Sequence, residues 1–200
     1  MELTLFSAAD VRRALPMAEA IEAVKAGYVQ LSAGRAQVPL RTHLSIAEGD
    51  STLVMPVYSP GADGEAGALG LKLVSVFNSN PPRGLPLIHA LVLAVDPATG
   101  APQAIIEGGA LTAIRTGAAS GAATDVLARP DAAVVAIFGA GVQARRQLEA
   151  VCTVRRVERV RLFSPVGAEA FAAEMAGQGP IPGDIAIVDS PRAAVADADI

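Results

Sequence analysis

Ala133-Val-Val-Ala-Ile-Phe-Gly-Ala-Gly-Val-Gln-Ala144 sets an apolar strand, a glycine turn and a helix start in direct succession. Residues 133–138 carry no charge and are rich in Val and Ile, the composition of a strand buried on both faces of a parallel sheet. Gly139 permits a tight turn and Gly141 a close approach of backbone to a pyrophosphate. Ala144 stands where a third glycine usually lets the helix pack on the strand. The helix opening at Val142 turns unpaired N–H groups and its positive end toward the phosphates. The stretch therefore reads as a dinucleotide-binding unit, against the plainer alternative of a β-turn-α unit with no ligand.

Downstream of Pro130 the pattern continues as strand, helix, strand (Val160–Phe163), helix (Gly167–Ala176), strand (Ile185–Val188) and helix (191–197). That alternation predicts a Rossmann-type, doubly wound parallel sheet. The change of pattern falls near 128–131 and divides the chain into a 1–129 domain and a 130–200 dinucleotide-binding domain. A fourth strand begins at Ala-Asp-Ala-Asp-Ile200, so a six-stranded sheet is incomplete here. The chain reads as the front part of a longer protein.

Upstream, Ser7-Ala-Ala-Asp10 is a capping-type start for a short helix, and Pro16 opens a longer one ending near Ala33 and Gly34. Strand-like pieces follow at Thr42–Ile46, Thr52–Tyr58, Leu69–Phe77, Leu87–Val95 and Gln103–Ile106. Asp96-Pro-Ala-Thr-Gly100 reads as a hairpin turn that makes its flanking strands antiparallel neighbours. Residues 61–67 read as a surface loop. Residues 109–128 form a helix of almost wholly small residues, suited to close packing, with Arg115 its long polar side chain. The overall class is α/β, an N-terminal α+β domain followed by the parallel sheet.

Composition excludes several functions. Two hundred residues, 52% hydrophobic with mean hydropathy +0.41, can bury a sizeable core. No apolar run approaches the roughly 18 residues of a membrane span, and the N-terminus lacks the basic start and apolar core of a signal peptide. The expectation is a cytoplasmic protein without a membrane partner. A net charge of −4 with 4% aromatic residues provides no basic stripe or stacking platform, so no nucleic-acid partner is expected. Two well-separated His and the single Cys152 supply no metal ligand set, and Cys152 reads as a helix-packing residue. His89, in an apolar strand, reads as a satisfied structural histidine.

Of sixteen basic residues, all but Lys25 and Lys72 are arginine. Lys25 lies in an amphipathic helix and reads as a solvated face charge. Lys72 interrupts the apolar run Leu69–Phe77. It is either a residue snorkelling from a strand edge or a compact, titratable cation that arginine cannot replace.

Several motifs together resemble the ornithine cyclodeaminase/mu-crystallin family, which also contains ketimine reductases and archaeal-type alanine dehydrogenase. They are Val-Met-Pro-Val-Tyr-Ser (54–59), Lys72-Leu-Val, Asn80 with Gly84-Leu-Pro, Asp96-Pro-Ala-Thr-Gly100, Leu-Thr-Ala-Ile-Arg-Thr (111–116) and Gly-Ala-Gly-Val-Gln-Ala (139–144). Order and spacing agree over nearly the whole chain. The resemblance implies an N-terminal substrate and dimerisation domain, a Rossmann domain, a homodimer, and hydride transfer at the α-carbon of a small amino or imino acid with NADP or NAD. It implies that Arg41 and Arg115 clamp the substrate carboxylate beside Lys72, with Met55 and Asn80 also at the substrate, and that Lys72 and Arg115 form the catalytic set. Thr116, Gly139, Ala140, Gly141, Val142, Gln143 and Ser164 correspond to the cofactor contacts, so that Arg115 and Thr116 join the two halves of one cleft. An arginine fork matches a planar carboxylate, and orientation fixed in this way presents the α-carbon to the nicotinamide.

Three departures shape the functional expectation. Where a dinucleotide site shows Asp or Glu about 20 residues past the glycines, this chain has Ser164-Pro165, which permits a 2′-phosphate and favours NADP, although no arginine follows to clamp it. Leu53 and Leu87 stand where the resemblance to ornithine cyclodeaminases implies a glutamate and a threonine, and both changes remove polar groups. The aspartate that the family places at the substrate amine lies past Ile200. With fewer groups to hold the δ-amine of ornithine, the preferred reading is reduction of a cyclic ketimine such as Δ1-pyrroline-2-carboxylate. Ornithine cyclodeaminase is the alternative, followed by alanine dehydrogenase and by a non-catalytic NADP-binding protein of the mu-crystallin kind.

Overall fold

The computed structural model describes residues 2–61 and 67–200, and most of the expected 61–67 loop lies outside them. The chain divides into two compact units. The first comprises residues 1–15 and 26–112, and the second residues 16–25 and 113–200.

The first unit is a six-stranded sheet in the order β1-β6-β5-β4-β3-β2. Its strands are β1 (Thr4–Phe6), β2 (Thr42–Ala47), β3 (Asp50–Ser59), β4 (Ala68–Phe77), β5 (Ile88–Val95) and β6 (Pro102–Glu107). Neighbours from β2 to β6 pair antiparallel, and β1 joins β6 in parallel. The hairpin expected at 96–100 closes β5 onto β6, with Asp96 N–H donating to Ala101 O (2.9 Å) and Gly100 N–H to Asp96 O (2.8 Å). Helix α1 (Ala8–Ala14) begins at Ser7 with a complete capping box, as its sequence predicts. Strand β1 is an addition to the sequence reading, too short for a period to show.

Fully buried apolar side chains are scarce in this unit. Among its described residues only Val11 and Ala104 fall in that class. One face of the sheet carries Leu44, Leu73 and Leu91 at 49%, 40% and 48% exposure, Leu73 and Leu91 being directly paired across β4 and β5. A sheet of this size leaves such a face open only at a cost.

The second unit holds a parallel sheet of β7 (Val134–Phe138), β8 (Arg159–Phe163) and β9 (Ile185–Ile187). Helices α4 (Val142–Val154) and α5 (Ala168–Met175) cover one face with Leu148, Val151, Cys152, Phe171 and Met175, against Val135, Ile137, Val160, Leu162 and Ile185. Cys152 is a packing residue, as expected. Burial pushes its thiol up to about 12, which leaves it inert as a nucleophile. After α6 (Pro191–Val195) the chain returns to the free edge of β7, where Ile200 O accepts from Ala136 N–H (2.8 Å) and Asp199 N–H donates to Val134 O (2.8 Å). The fourth strand of the sequence reading therefore starts on the side of β7 opposite β8, and the strand order reverses there. A right-handed crossover from β9 to that edge puts α6 on the other sheet face, making the sheet doubly wound. Asp199 locks the return, its Oδ2 accepting from Ala133 N–H (2.9 Å) and Val134 N–H (3.0 Å) while Oδ1 takes Arg129. These bonds hold its carboxyl below the usual aspartate value.

Two helices cross between the units. Helix α2 (Met17–Ser32) contributes Pro16–Lys25 to the second, and helix α3 (Gly108–Leu127) joins it from Ala113. Packing explains that division, which lies ahead of the change of sequence pattern at 128–131. A Cβ on Gly117 would stand 2.5 Å from Arg146 O, and one on Gly121 2.7 Å from Ile21 Cδ1 and 3.1 Å from Ala150 Cβ. Helix α3 is thus pressed against α4 and the start of α2 where its side chains vanish. Lys25 is not the solvated charge its sequence suggests, because its ammonium pairs with Asp125 (2.6 Å) and Glu22 (2.7 Å). Arg155 bonds the other Asp125 oxygen (3.0 Å) and closes the end of α3 by donating to the carbonyls of Thr124, Asp125 and Ala128.

Two of the helical glycines, Gly27 and Gly117, give opposite predictions. A Cβ on Gly27 meets nothing within 4 Å, so Gly27→Ala should stabilise by about 0.5–1 kcal/mol. Gly117→Ala should lower stability, since overpacking costs about 1–3 kcal/mol against backbone that cannot yield. Urea denaturation midpoints at constant slope measure both, and a stabilising Gly117→Ala would refute the close approach.

Candidate functional site

Of the cofactor residues of the sequence reading, Gly139 to Gln143 and Ser164 follow the carboxyl ends of β7 and β8, and Thr116 lies on α3. Gly139 leaves β7 with φ +84°, a conformation other residues rarely adopt, and its N–H donates to Phe163 O (2.8 Å). The register pairs Phe138 with Phe163, whose rings meet edge to face at 6.4 Å, so the glycine turn and Ser164 leave the sheet side by side. Gly141 is the N-cap of α4 and has no side chain with which to cap it, so the first N–H groups of that helix are left for another acceptor. Its φ of −84° suits any residue, and a Cβ there would touch no protein atom within 4 Å. Neither backbone strain nor packing calls for glycine at 141.

Gly141, Val142 and Gln143 are exposed, Gly139 and Ala140 half-buried, and Ala144 packs against the core as the third position of the motif should. Thr116 precedes the glycine that meets Arg146, so α3 is fixed one residue from Thr116 against the second turn of α4. Arg115 is exposed. Ser164 donates to Val166 O (2.7 Å) and puts no carboxylate at the end of β8.

The substrate residues expected in the first unit are ordered by sheet register. Lys72 sits in β4, an interior strand, so a strand-edge snorkel does not account for it. It pairs with Met55 on β3 and Val92 on β5, and pairing puts Met55 on its face. Leu53, two residues before Met55, lies on the same face. The Lys72 ammonium donates to Thr112 Oγ1 (2.9 Å). Arg41 is exposed one residue before Thr42, which pairs with Val54, so it extends the Met55–Lys72 row. Among the described residues neither Arg41 nor Arg115 has a carboxylate partner.

Asn80 is differently placed. It is buried in the turn between β4 and β5, its side-chain amide donating to Pro86 O (2.8 Å) while its backbone carbonyl accepts from Arg83 and Leu85 N–H. That side chain organises the turn. His89 is exposed on β5, not the satisfied core histidine of the sequence reading. Among the described residues no group of three His, Cys, Asp or Glu side chains could hold a metal, and no helix is long and apolar enough to cross a membrane.

Two residues were not singled out from sequence. Thr112, one turn before Arg115 on α3, is visible only through its bond to Lys72. Arg145 lies beside the motif, yet its partners Glu174 and Phe171 stand about thirty residues on, where no local pattern points to it.

Comparison with known proteins supplies the remaining context. The sequence model of the ornithine cyclodeaminase/mu-crystallin family matches residues 1–200. The chain is 43% identical to a Thermococcus litoralis Δ1-pyrroline-2-carboxylate reductase solved with NADH and L-proline, with a TM-score of 0.85 over 98% of this chain and 60% of that one. It is 37% identical over 199 residues to a Bacillus cereus Δ1-pyrroline-2-carboxylate reductase, covering 99% of this chain and 60% of the relative. An archaeal alanine dehydrogenase dimer with bound NAD is 31% identical with a TM-score of 0.82, over 96% of this chain and 57% of that one. The chain therefore spans about 60% of the length of the relatives it matches.

Proposed function

This chain belongs to the ornithine cyclodeaminase/mu-crystallin family, and from that premise we propose that it is the front part of an NAD(P)H-dependent ketimine reductase acting on Δ1-pyrroline-2-carboxylate or a close cyclic imino acid. The carrying observation is Lys72, an ammonium in an interior strand of the six-stranded sheet, on a face it shares with Leu53 and Met55. A cation in that place suits a substrate carboxylate, and the leucine beside it suits an apolar ring more than a second amine. Two of the relatives described above carry the name of this activity.

A nicotinamide held at the glycine turn would supply the hydride for the α-carbon of the protonated imine, so that the C=N bond would become the C–N bond of the cyclic amino acid. Arg41 and Arg115 bind the substrate carboxylate as paired forks, and Lys72, steadied by Thr112, orients it. Met55 and Leu53 line the apolar side. The N–H groups at Gly141 and Val142, together with Thr116 and Gln143, would hold the pyrophosphate. Asn80 serves this site through the shape of its turn.

The assay is decisive between the family's reactions. The full-length protein should oxidise NADH or NADPH with pyrroline-2-carboxylate and release no ammonia from L-ornithine with NAD⁺, whereas ornithine turnover alone would sink the reductase reading. Arg115→Ala should reduce kcat/KM for the imino acid about 10- to 100-fold, the value of one or two charge-assisted bonds. A loss within about threefold would remove Arg115 from the clamp.

Cofactor choice follows from Ser164, which sets no like charge against a 2′-phosphate. The reading is that both dinucleotides are accepted. Ser164→Asp should raise the KM for NADPH about tenfold or more and spare NADH. Equal effects on the two would place the ribose elsewhere.

We also propose a homodimer joined through the apolar face of Leu44, Leu73 and Leu91, since the first unit buries so little by itself. Light scattering should give twice the chain mass for the full-length protein, and Leu73→Glu should give a monomer. A Leu73→Glu dimer would assign the interface to another surface.

A further inference from the structure

We infer that Arg145 is a positioning residue for the dinucleotide turn, holding the carbonyls of Ala140 and Gly141 to one side so that the following N–H groups face the pyrophosphate; this rests on the dinucleotide reading above. The guanidinium lies behind the turn. Its Nη1 donates to Ala140 O (2.5 Å) and Gly141 O (3.1 Å). Its Nε and Nη2 donate to Glu174 Oε2 at 2.9 and 2.6 Å. Its carbon stands 5.1 Å from the ring centroid of Phe171, a fully buried residue of α5. The side chain is therefore fixed on α5 by a charge pair and a ring face, and spends its remaining fork on the turn.

The consequence for the turn follows from peptide geometry. A trans peptide is planar, with its C=O and N–H pointing in opposite directions. The Ala140 carbonyl shares a peptide with Gly141 N–H, and the Gly141 carbonyl shares one with Val142 N–H. Drawing both carbonyls toward Arg145 sends both N–H groups outward, past the side of Gly141 where no protein atom lies within 4 Å of a built Cβ. The helix does not secure this alone, because the bond from Arg145 N–H to Gly141 O is long at 3.4 Å and Gly141 has no cap to offer. The pairing holds the Glu174 carboxyl below its usual value and Arg145 above its own, so the brace is charged throughout the neutral range.

Three variants of the full-length protein separate this role from a plain staple between α4 and α5. Arg145→Met keeps an apolar stem on Phe171 and removes every donor. It should raise the KM for NADH and NADPH about tenfold, with kcat at saturating dinucleotide and the KM for the imino acid moving far less. Arg145→Lys keeps the charge but not the fork, and should not restore the KM. Glu174→Gln is the sign test. It removes a negative charge near the pyrophosphate, so action by charge alone would lower the dinucleotide KM, whereas loss of the brace raises it. A fall in melting temperature with unchanged dinucleotide KM in Arg145→Met and Glu174→Gln would overturn the inference in favour of a staple. Direct titration of the wild type with NADH by fluorescence separates the premises. A wild type that binds no dinucleotide defeats the dinucleotide reading and this inference with it, whereas a wild type and an Arg145→Met variant that bind alike defeat this inference alone.

Discussion

Reversal of strand order at β7 is the constraint from which the dinucleotide-site geometry follows. Strands β8 and β9 lie on one side of β7, and residues 199–200 begin to pair on the other. Connections leaving adjacent strands to opposite faces open a crevice at the carboxyl end of the strand between them, the place where open α/β sheets bind ligands. That end of β7 is Gly139. The Asp199 carboxylate ties Ala133 and Val134 to the returning segment and so fixes that reversal.

Much of this was legible locally. The capping box at Ser7, the start of α2 after Pro16, the five antiparallel strands and the parallel alternation after Pro130 all follow from signals within a few residues of each element. The glycine turn was equally legible, because Gly139 meets a backbone demand and the strand and helix around it are continuous with it in sequence. What escaped was set by distant partners. Strand β1 is three residues long, and its pairing partner β6 lies about a hundred residues on. Lys25 looked solvated because Asp125, its counter-ion, is one hundred residues away. Arg145 looked like one basic residue among many until Glu174 and Phe171 gave it a fixed direction.

Glycine carries three separate meanings here, and only structure tells them apart. At Gly139 the backbone angle demands it, and at Gly117 the neighbouring backbone leaves no room for more. At Gly141 neither holds, and the residue is small toward open space. The third case is the informative one for function, since a position spared a side chain for no internal reason marks where something external comes close.

The same reasoning by exclusion applies to Lys72. An ammonium in an interior strand costs solvation that a strand edge would have spared. Its bond to Thr112 offsets some of that cost, whereas the neighbouring Leu71 and Leu73 fill the same strand without incurring it. A chain that otherwise uses arginine almost everywhere nevertheless keeps lysine here. A guanidinium would present a broad, rigid fork, whereas an ammonium is a compact point charge with three rotatable donors, one of which meets Thr112. The choice of lysine is thus best explained by what it must face, on a sheet face it shares with the apolar Met55 and Leu53 and, at the end of its row, with Arg41.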